Sequence, residues 1–138
     1  MREGTDRMPD GSLVTVSAAI GLVVDAVSGS EVLAHLDIDE RHHQGSGIVH
    51  GGVYAHVIES VATTGASAAV RERGQGAVGV NNQTDFLRPF SRGRLDIVAR
   101  PVQQGRTLQL WLVEITTVDG KMVARGQVRL FNQARPAA

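Results

Sequence analysis

The stretch from Gly51 to about Arg73 is the one part of this chain with the pattern of a long helix, and the segments around it read as strands. Its apolar residues Val53, Tyr54, Val57, Ile58, Val61, Ala62, Ala66, Ala69 and Val70 recur every three or four positions, and Gly74 ends the run. At about 100° per residue they cover more than half of the helix circumference, wider than the single stripe of a surface helix. Such a helix needs cover on several sides. Before it, "IGLVVDAV" and "EVLAHLDID" are joined through "SGS" and read as a hairpin. After it, "GAVGVNNQTDFLRPF", "RLDIVARPVQ", "TLQLWLVEITT" and "MVARGQVRLFN" read as four strands, with "SRG", "QGR" and "VDGK" in the breaks. Links this short favour antiparallel neighbours. The expected fold class is α+β, a curved antiparallel sheet of about six strands wrapped around one long central helix.

At 138 residues the chain has room for one core. Residues 13–133 are read as a single domain, with flexible segments at 1–12 and 134–138. Fourteen basic residues balance fourteen acidic ones, so there is no broad positive field, and no nucleic-acid partner is expected. The absence of cysteine removes disulfides and thiolate metal sites, as suits a reducing cytosol. The opening "MREGTDRMPDGS" lacks a signal-peptide pattern, and no stretch approaches the roughly 18 apolar residues of a membrane span. A cytoplasmic protein with no membrane partner is the expectation.

Chemistry concentrates in "HHQGSGIVHGGVYAHVIESVATT", residues 42–64. A helix that opens on Gly51 and Gly52 offers unsatisfied N–H groups at the positive end of its dipole, where a carbonyl can approach closely. Those glycines also suit a tight loop-to-helix entry, and both readings stand. Glu59 falls at the border of the apolar arc, roughly 240° around from Val53, with Thr63 one turn on. A carboxylate there is either a solvated helix residue or a base whose proton affinity rises if the position is enclosed. His50 and His56 are six residues apart, not the i, i+4 pairing that puts two ligands on one helix face, so no metal is expected. His50 reads as a helix-entry residue whose ring bonds to backbone or substrate, His42 and His43 as solvated loop residues, and His35 as a strand residue. Gln44 is loop polarity on its own showing.

The sequence "VHGGVYAHVIESVAT", followed at a suitable distance by "TDFLRP" and three more strands, closely resembles the hotdog-fold acyl-CoA thioesterases. The nearest branch is that of 4-hydroxybenzoyl-CoA thioesterase and the phenylacetate-pathway (PaaI-like) and dihydroxynaphthoyl-CoA thioesterases, and the likeness runs from about Gly21 to Asn132. The resemblance implies that Glu59 is nucleophile or general base and that the Gly51 N–H polarises the thioester carbonyl. It further implies that Gln44 and His50 position the substrate and that Thr63 holds the attacking water or the carboxylate. In this family an Arg at the end of a strand like "FLRP" contacts a coenzyme A phosphate, which points to Arg88, with Arg106 and Thr107 as weaker candidates. The thioester is then the substrate, and no separate cofactor is expected. Asn81, Asn82 and Gln83 either line the acyl pocket or face solvent, and Tyr54, Val57, Ile58 and Phe86 are further candidates to line it.

Gly51 and Glu59 lie eight residues apart, about 12 Å along one helix axis, too far for both to reach one carbonyl group. Two antiparallel helices across a dimer axis would bring the Gly51 end of one to the Glu59 turn of the other, giving two sites per dimer. A homodimer at minimum is therefore expected, and a homotetramer beyond it. Hydrolysis of an aryl or short- to medium-chain acyl-CoA is the leading functional expectation. The alternative is a binding or regulatory protein using the same groove without turnover. A hydratase on the same fold would need an Asp-plus-His arrangement that this chain lacks.

Overall fold

The computed structural model describes residues 9, 10, 12 and 14–135, so the segments expected to be flexible lie mostly outside the described residues. The elements are α1 (Val16–Ile20), β1 (Val23–Val27), β2 (Val32–Ile38), a 3-10 turn at Glu40–His42, α2 (Gly51–Val70) with a further 3-10 turn at Arg71–Arg73, β3 (Gln75–Phe86), β4 (Gly93–Gln104), β5 (Leu108–Thr117) and β6 (Met122–Ala134). All six strands join one antiparallel sheet in the order β1-β2-β4-β5-β6-β3, and α2 packs across its concave face.

Helix α2 ends as its sequence dictates. Gly74 takes the left-handed conformation, φ 70°, and its N–H closes on Arg71 O. The buried residues Tyr54, Val57, Ile58, Val61, Ala62, Gly65, Ala66 and Val70 do span more than half of the circumference. They meet Val32, Leu36, Leu95, Ile97, Trp111, Val113 and Val128, the inward-facing positions of alternating strands. The closest approach is at Gly65, where a Cβ would stand 2.5 Å from Trp111 Cη2. A buried polar network ties the same half of the helix to the sheet: Gln109 Nε2 donates to Ala66 O and Asn132 Oδ1, and Trp111 Nε1 donates to Gln109 Oε1.

Three features differ from the sequence expectation. The "SRG" break joins strands that are not neighbours, because β3 lies at the sheet edge and β4 lies beyond β6 and β5. The link Leu87–Arg92 crosses three strand spacings, about 14 Å at 4.7–4.9 Å each, within the reach of six extended residues. Ile20 and Gly21, read as the start of a strand, instead close α1, which Thr15 caps through a hydrogen bond from Ala18 N–H. His42 is no solvated loop residue but 1% exposed. Its Nδ1 accepts from Asp39 N–H, which leaves Nε2–H to donate to Ile20 O at 2.7 Å, so the ring stitches α1 to the loop after β2.

Candidate active site

The loop between β2 and α2 folds back on itself through a bridge between His43 and Val49, and is fastened to the β3–β4 link by the Val49 N–H on Phe90 O. His43 Nε2 adds a bond to Ser91 O. His50 then starts α2 as its N-cap, its Nδ1 accepting from Gly52 N–H at 2.8 Å, while its carbonyl takes the Val53 N–H. The Gly51 N–H is left without a partner among the described residues. It stands at the helix terminus, where the dipole favours an anionic oxygen.

At Gly51 the two loops and β3 form an open cavity of about 420 Å³, lined by Gln44, Ile48, Val49, Gly51, Tyr54, Phe86, Leu87, Arg88 and Pro89. Three residues singled out in the sequence, Gln44, Gly51 and Arg88, are thus brought together. The size suits a small ligand. The lining is apolar except for the exposed Gln44 and Arg88; Tyr54 contributes to it with its hydroxyl buried. Val57 and Ile58 belong to the core and not to this cavity, whereas Tyr54 and Phe86 do line it.

Glu59 lies two turns further along α2, exposed to solvent. Strand β3 runs antiparallel to the helix: Phe86 sits at Gly51, Asn82 donates from Nδ2 to Ala55 O, and Gly79 faces Glu59. Asn82 is therefore a clamp between strand and helix, and Asn81 and Gln83 are exposed on β3. At Gly79 an added Cβ would lie 3.0 Å from Glu59 Oε1, so the missing side chain makes the space in which the carboxylate rests. A register break at Val80, between Gly79 and Asn81, bends the strand at that point. Thr63, half-buried, follows Glu59 by one turn on the same face.

Not every candidate gathers here. Arg106 and Thr107 occupy the β4–β5 turn, where Asn132 Nδ2 holds Arg106 O and Asn132 N–H holds Thr107 O, at the end of the sheet away from the cavity of the same chain. Among the described residues no group of three or more His, Cys, Asp or Glu is placed to hold a metal ion. No helix among the described residues is long and apolar enough to cross a membrane.

Residues 46–124 match the family model described as the thioesterase superfamily. The chain belongs to the thioesterase superfamily. A Mycobacterium tuberculosis protein that carries an esterase name is 44% identical over 126 residues, covering 89% of this chain and 90% of its own. Its solved structure superposes with a TM-score of 0.84 at 45% identity, over 87% of this chain and 98% of that one. The proofreading thioesterase EntH of Klebsiella pneumoniae is 32% identical over 107 residues, 78% of this chain and 76% of its own. The crystal structure of AziG from S. sahachiroi gives a TM-score of 0.84 at 39% identity, covering 88% of this chain and 98% of that one. A six-stranded antiparallel sheet around one long helix is the hotdog architecture of the thioesterase superfamily, and these relationships support thioester hydrolysis as its chemistry.

In this thioesterase, sequence reasoning passed over Gly79 and the place of His56 beside the site, whereas Phe86 was among the candidates for the pocket lining. Gly79 carries only the weak signal of a glycine inside a strand. Phe86, exposed and lying against Gly51, is indistinguishable in sequence from an ordinary strand aromatic. His56, three residues before Glu59, has its Nε2 2.8 Å from Ser17 Oγ and 3.2 Å from Ser60 Oγ, and burial lowers its pKa while the Glu59 charge works against that.

Proposed function

We propose that this thioesterase hydrolyses acyl-CoA esters of aryl or short- to medium-chain acids in a site shared between two subunits. The observation that carries the reading is the unpartnered Gly51 N–H at an apolar cavity that Gln44 and Arg88 also line, with Glu59 exposed beside the edge strand β3.

In this reading the thioester carbonyl oxygen accepts from the Gly51 N–H, which stabilises it as charge develops. Gln44 and His50 orient the ester. Glu59 either takes a proton from water as the water attacks the carbonyl carbon or attacks that carbon itself, and Thr63 positions the water or the carboxylate. The carbon–sulfur bond breaks and coenzyme A leaves as its thiolate; after direct attack by Glu59, water then cleaves the acyl–Glu59 anhydride, releasing the acid and restoring the carboxylate. Arg88 at the cavity mouth is suited to a phosphate of coenzyme A. Arg106 and Thr107 would reach the nucleotide only from another subunit.

Sharing follows from distance. Gly51 and Glu59 of one chain are about 12 Å apart along the helix, so the carboxylate that serves Gly51 must come from elsewhere. Strand β3 is twelve residues long and pairs only with β6, whereas the opposite edge strand β1 has five residues and a bulge. A long free edge is a template for pairing with another strand. An antiparallel β3–β3 pairing with its two-fold axis at Gln83, and Val80 taken up by the register break, would set Gly79 of the partner subunit opposite Phe86, and with it the partner's Glu59 beside the Gly51 cavity.

The test is thiol release from a panel of aryl-, short- and long-chain acyl-CoA esters, with wild type beside Glu59→Gln. Turnover in the wild type that the variant lacks supports the reading; acyl-CoA binding with no turnover of any ester favours a binding protein instead. Refolding Glu59→Gln chains together with Gln44→Ala chains tests the sharing. Each mixed dimer then has one site with both native residues, so activity above that of either variant is expected, and none would contradict a shared site.

A further inference from the structure

We propose that the Tyr54 hydroxyl is the acyl-recognition group of this site and donates a hydrogen bond to an oxygen carried on the body of the acyl group, away from the thioester. The inference rests on the acyl-CoA reading above and names its substrate class: acids with an apolar body bearing one keto, ether or hydroxyl oxygen.

Tyr54 is 3% exposed, and its hydroxyl has no hydrogen-bond partner among the described residues. Buried hydroxyls are nearly always paired, because one left unpaired loses its water without replacement. Phenylalanine would fill the same core position without that cost. Tyr54 also lines the cavity that contains Gly51, with its hydroxyl closed off from solvent. Burial pushes its pKa up to about 12, so it stays a neutral phenol, able to donate, throughout the working pH range.

Its placement matches a substrate laid along the first turn of α2. Tyr54 follows Gly51 by three residues, on the same side of the helix, and long helical side chains lean back toward the N-terminus. The Phe86 ring covers this stretch: it lies against Gly51 Cα, where an added Cβ would stand 2.7 Å from Cζ, and its centroid is 6.1 Å from that of Tyr54. Phe86 is itself 59% exposed, the one aromatic in the lining that is free to swing outward. An acyl group that replaces the Phe86 ring, with its carbonyl at the Gly51 N–H, meets Tyr54 next. With Gln44 given to the ester and Arg88 to a phosphate in the reading above, the remaining lining, Ile48, Val49, Leu87 and Pro89, has no side-chain polar atom, so the phenol is the polar group left for the acyl body.

The experiment measures kcat/KM for benzoyl-CoA and its meta- and para-methoxy and hydroxy derivatives, and for one aliphatic acyl-CoA against its keto derivative, using wild type and Tyr54→Phe. Wild type is expected to prefer at least one oxygenated ester over its plain counterpart by about ten- to a hundred-fold, the range of one hydrogen bond to a buried partner. Tyr54→Phe is expected to lose that preference, with a larger fall on the oxygenated ester than on its plain counterpart, and to melt no lower than wild type. Equal preference in both proteins, or none in wild type while plain esters are hydrolysed, overturns the proposal and leaves the acyl-CoA reading standing. A lower melting temperature with equal losses on every ester assigns the hydroxyl a structural role and also overturns it. No hydrolysis of any ester by wild type overturns both.

Discussion

Glu59 and Gly79 share one space: a Cβ on Gly79 would stand 3.0 Å from Glu59 Oε1 and 3.4 Å from its Cδ and Cγ. The proposed catalytic carboxylate therefore rests on the backbone of β3, at the point where the strand is bent by its register break. Gly79→Val is expected to push the carboxylate off this backbone and lower kcat at least about ten-fold, since misplacement of a reacting group by about 1 Å carries penalties of that order or larger. Steady-state kinetics together with a melting curve separate the two effects: a variant with native melting and native kcat would show that this contact does not position Glu59.

Glu59→Gln keeps the shape of the side chain and removes its charge. Glu59 is exposed and forms no ion pair among the described residues, so the fold is expected to be unchanged. Turnover of any ester that wild type hydrolyses is expected to fall by about two orders of magnitude or more. Near-normal hydrolysis would remove Glu59 from the mechanism.

Gly65→Ala sets two effects against each other. Alanine raises helix propensity by up to about 1 kcal/mol. The added methyl, however, stands 2.5 Å from Trp111 Cη2 and 2.8 Å from a Val32 methyl, in a fully buried layer where neither can retreat. Overpacking of this kind costs about 1–3 kcal/mol, so net destabilisation is expected in urea titration. A stabilised variant would mean that the helix and sheet slide apart more freely than this packing allows.

Gln109→Leu removes the hub of a satisfied network and leaves the Trp111 Nε1–H without a partner in the core, along with the Asn132 Oδ1 that Gln109 engages. A loss of about 2–4 kcal/mol is expected from one or two unpaired buried groups. Equilibrium unfolding measures it, and a loss below roughly 0.5 kcal/mol, the range of an ordinary surface change, would show that the network adds little.

His56 makes stability depend on pH. Burial against α1 lowers its pKa below the usual 6.5, opposed by the charge of Glu59 one turn away. A histidine whose folded pKa is depressed stays neutral in the folded chain while the unfolded chain takes up a proton. Its contribution is therefore complete above about pH 6.5, declines as pH falls below that value, and levels off beneath the folded pKa. In His56→Asn that component is expected to vanish, so the drop in urea midpoint between about pH 7 and 5 becomes smaller than in wild type. An unchanged drop would assign the acid sensitivity to other groups.

The helix, its end at Gly74, the strand segments and the spacing of Gly51, Glu59 and Thr63 were legible in the sequence because each is a local pattern. Period 3.6, period 2 and a glycine terminator are set by backbone geometry within a few residues. The wide buried arc of α2 correctly announced a sheet curved around it. Gln44 and Arg88 were legible only through their motif, since nothing local separates a binding Gln or Arg from a solvated one. His42 was misread for the same reason: its burial depends on α1 arriving from twenty-two residues earlier to present Ile20 O.

By itself, then, the amino-acid sequence determined where the long helix and the six strands lie, though not α1, and that Gly51 and Glu59 are too far apart along one helix to act on the same carbonyl. Tertiary structure alone decided that β3 leaves its chain neighbour β4 for the far edge, that its Gly79 receives the Glu59 carboxylate, and that Tyr54 and Phe86 meet beside Gly51. The physical reason is range. Periodicity is governed by torsions and neighbours within a turn, whereas strand order, cavities and unpaired hydroxyls arise from contacts between segments tens of residues apart, which no local pattern records.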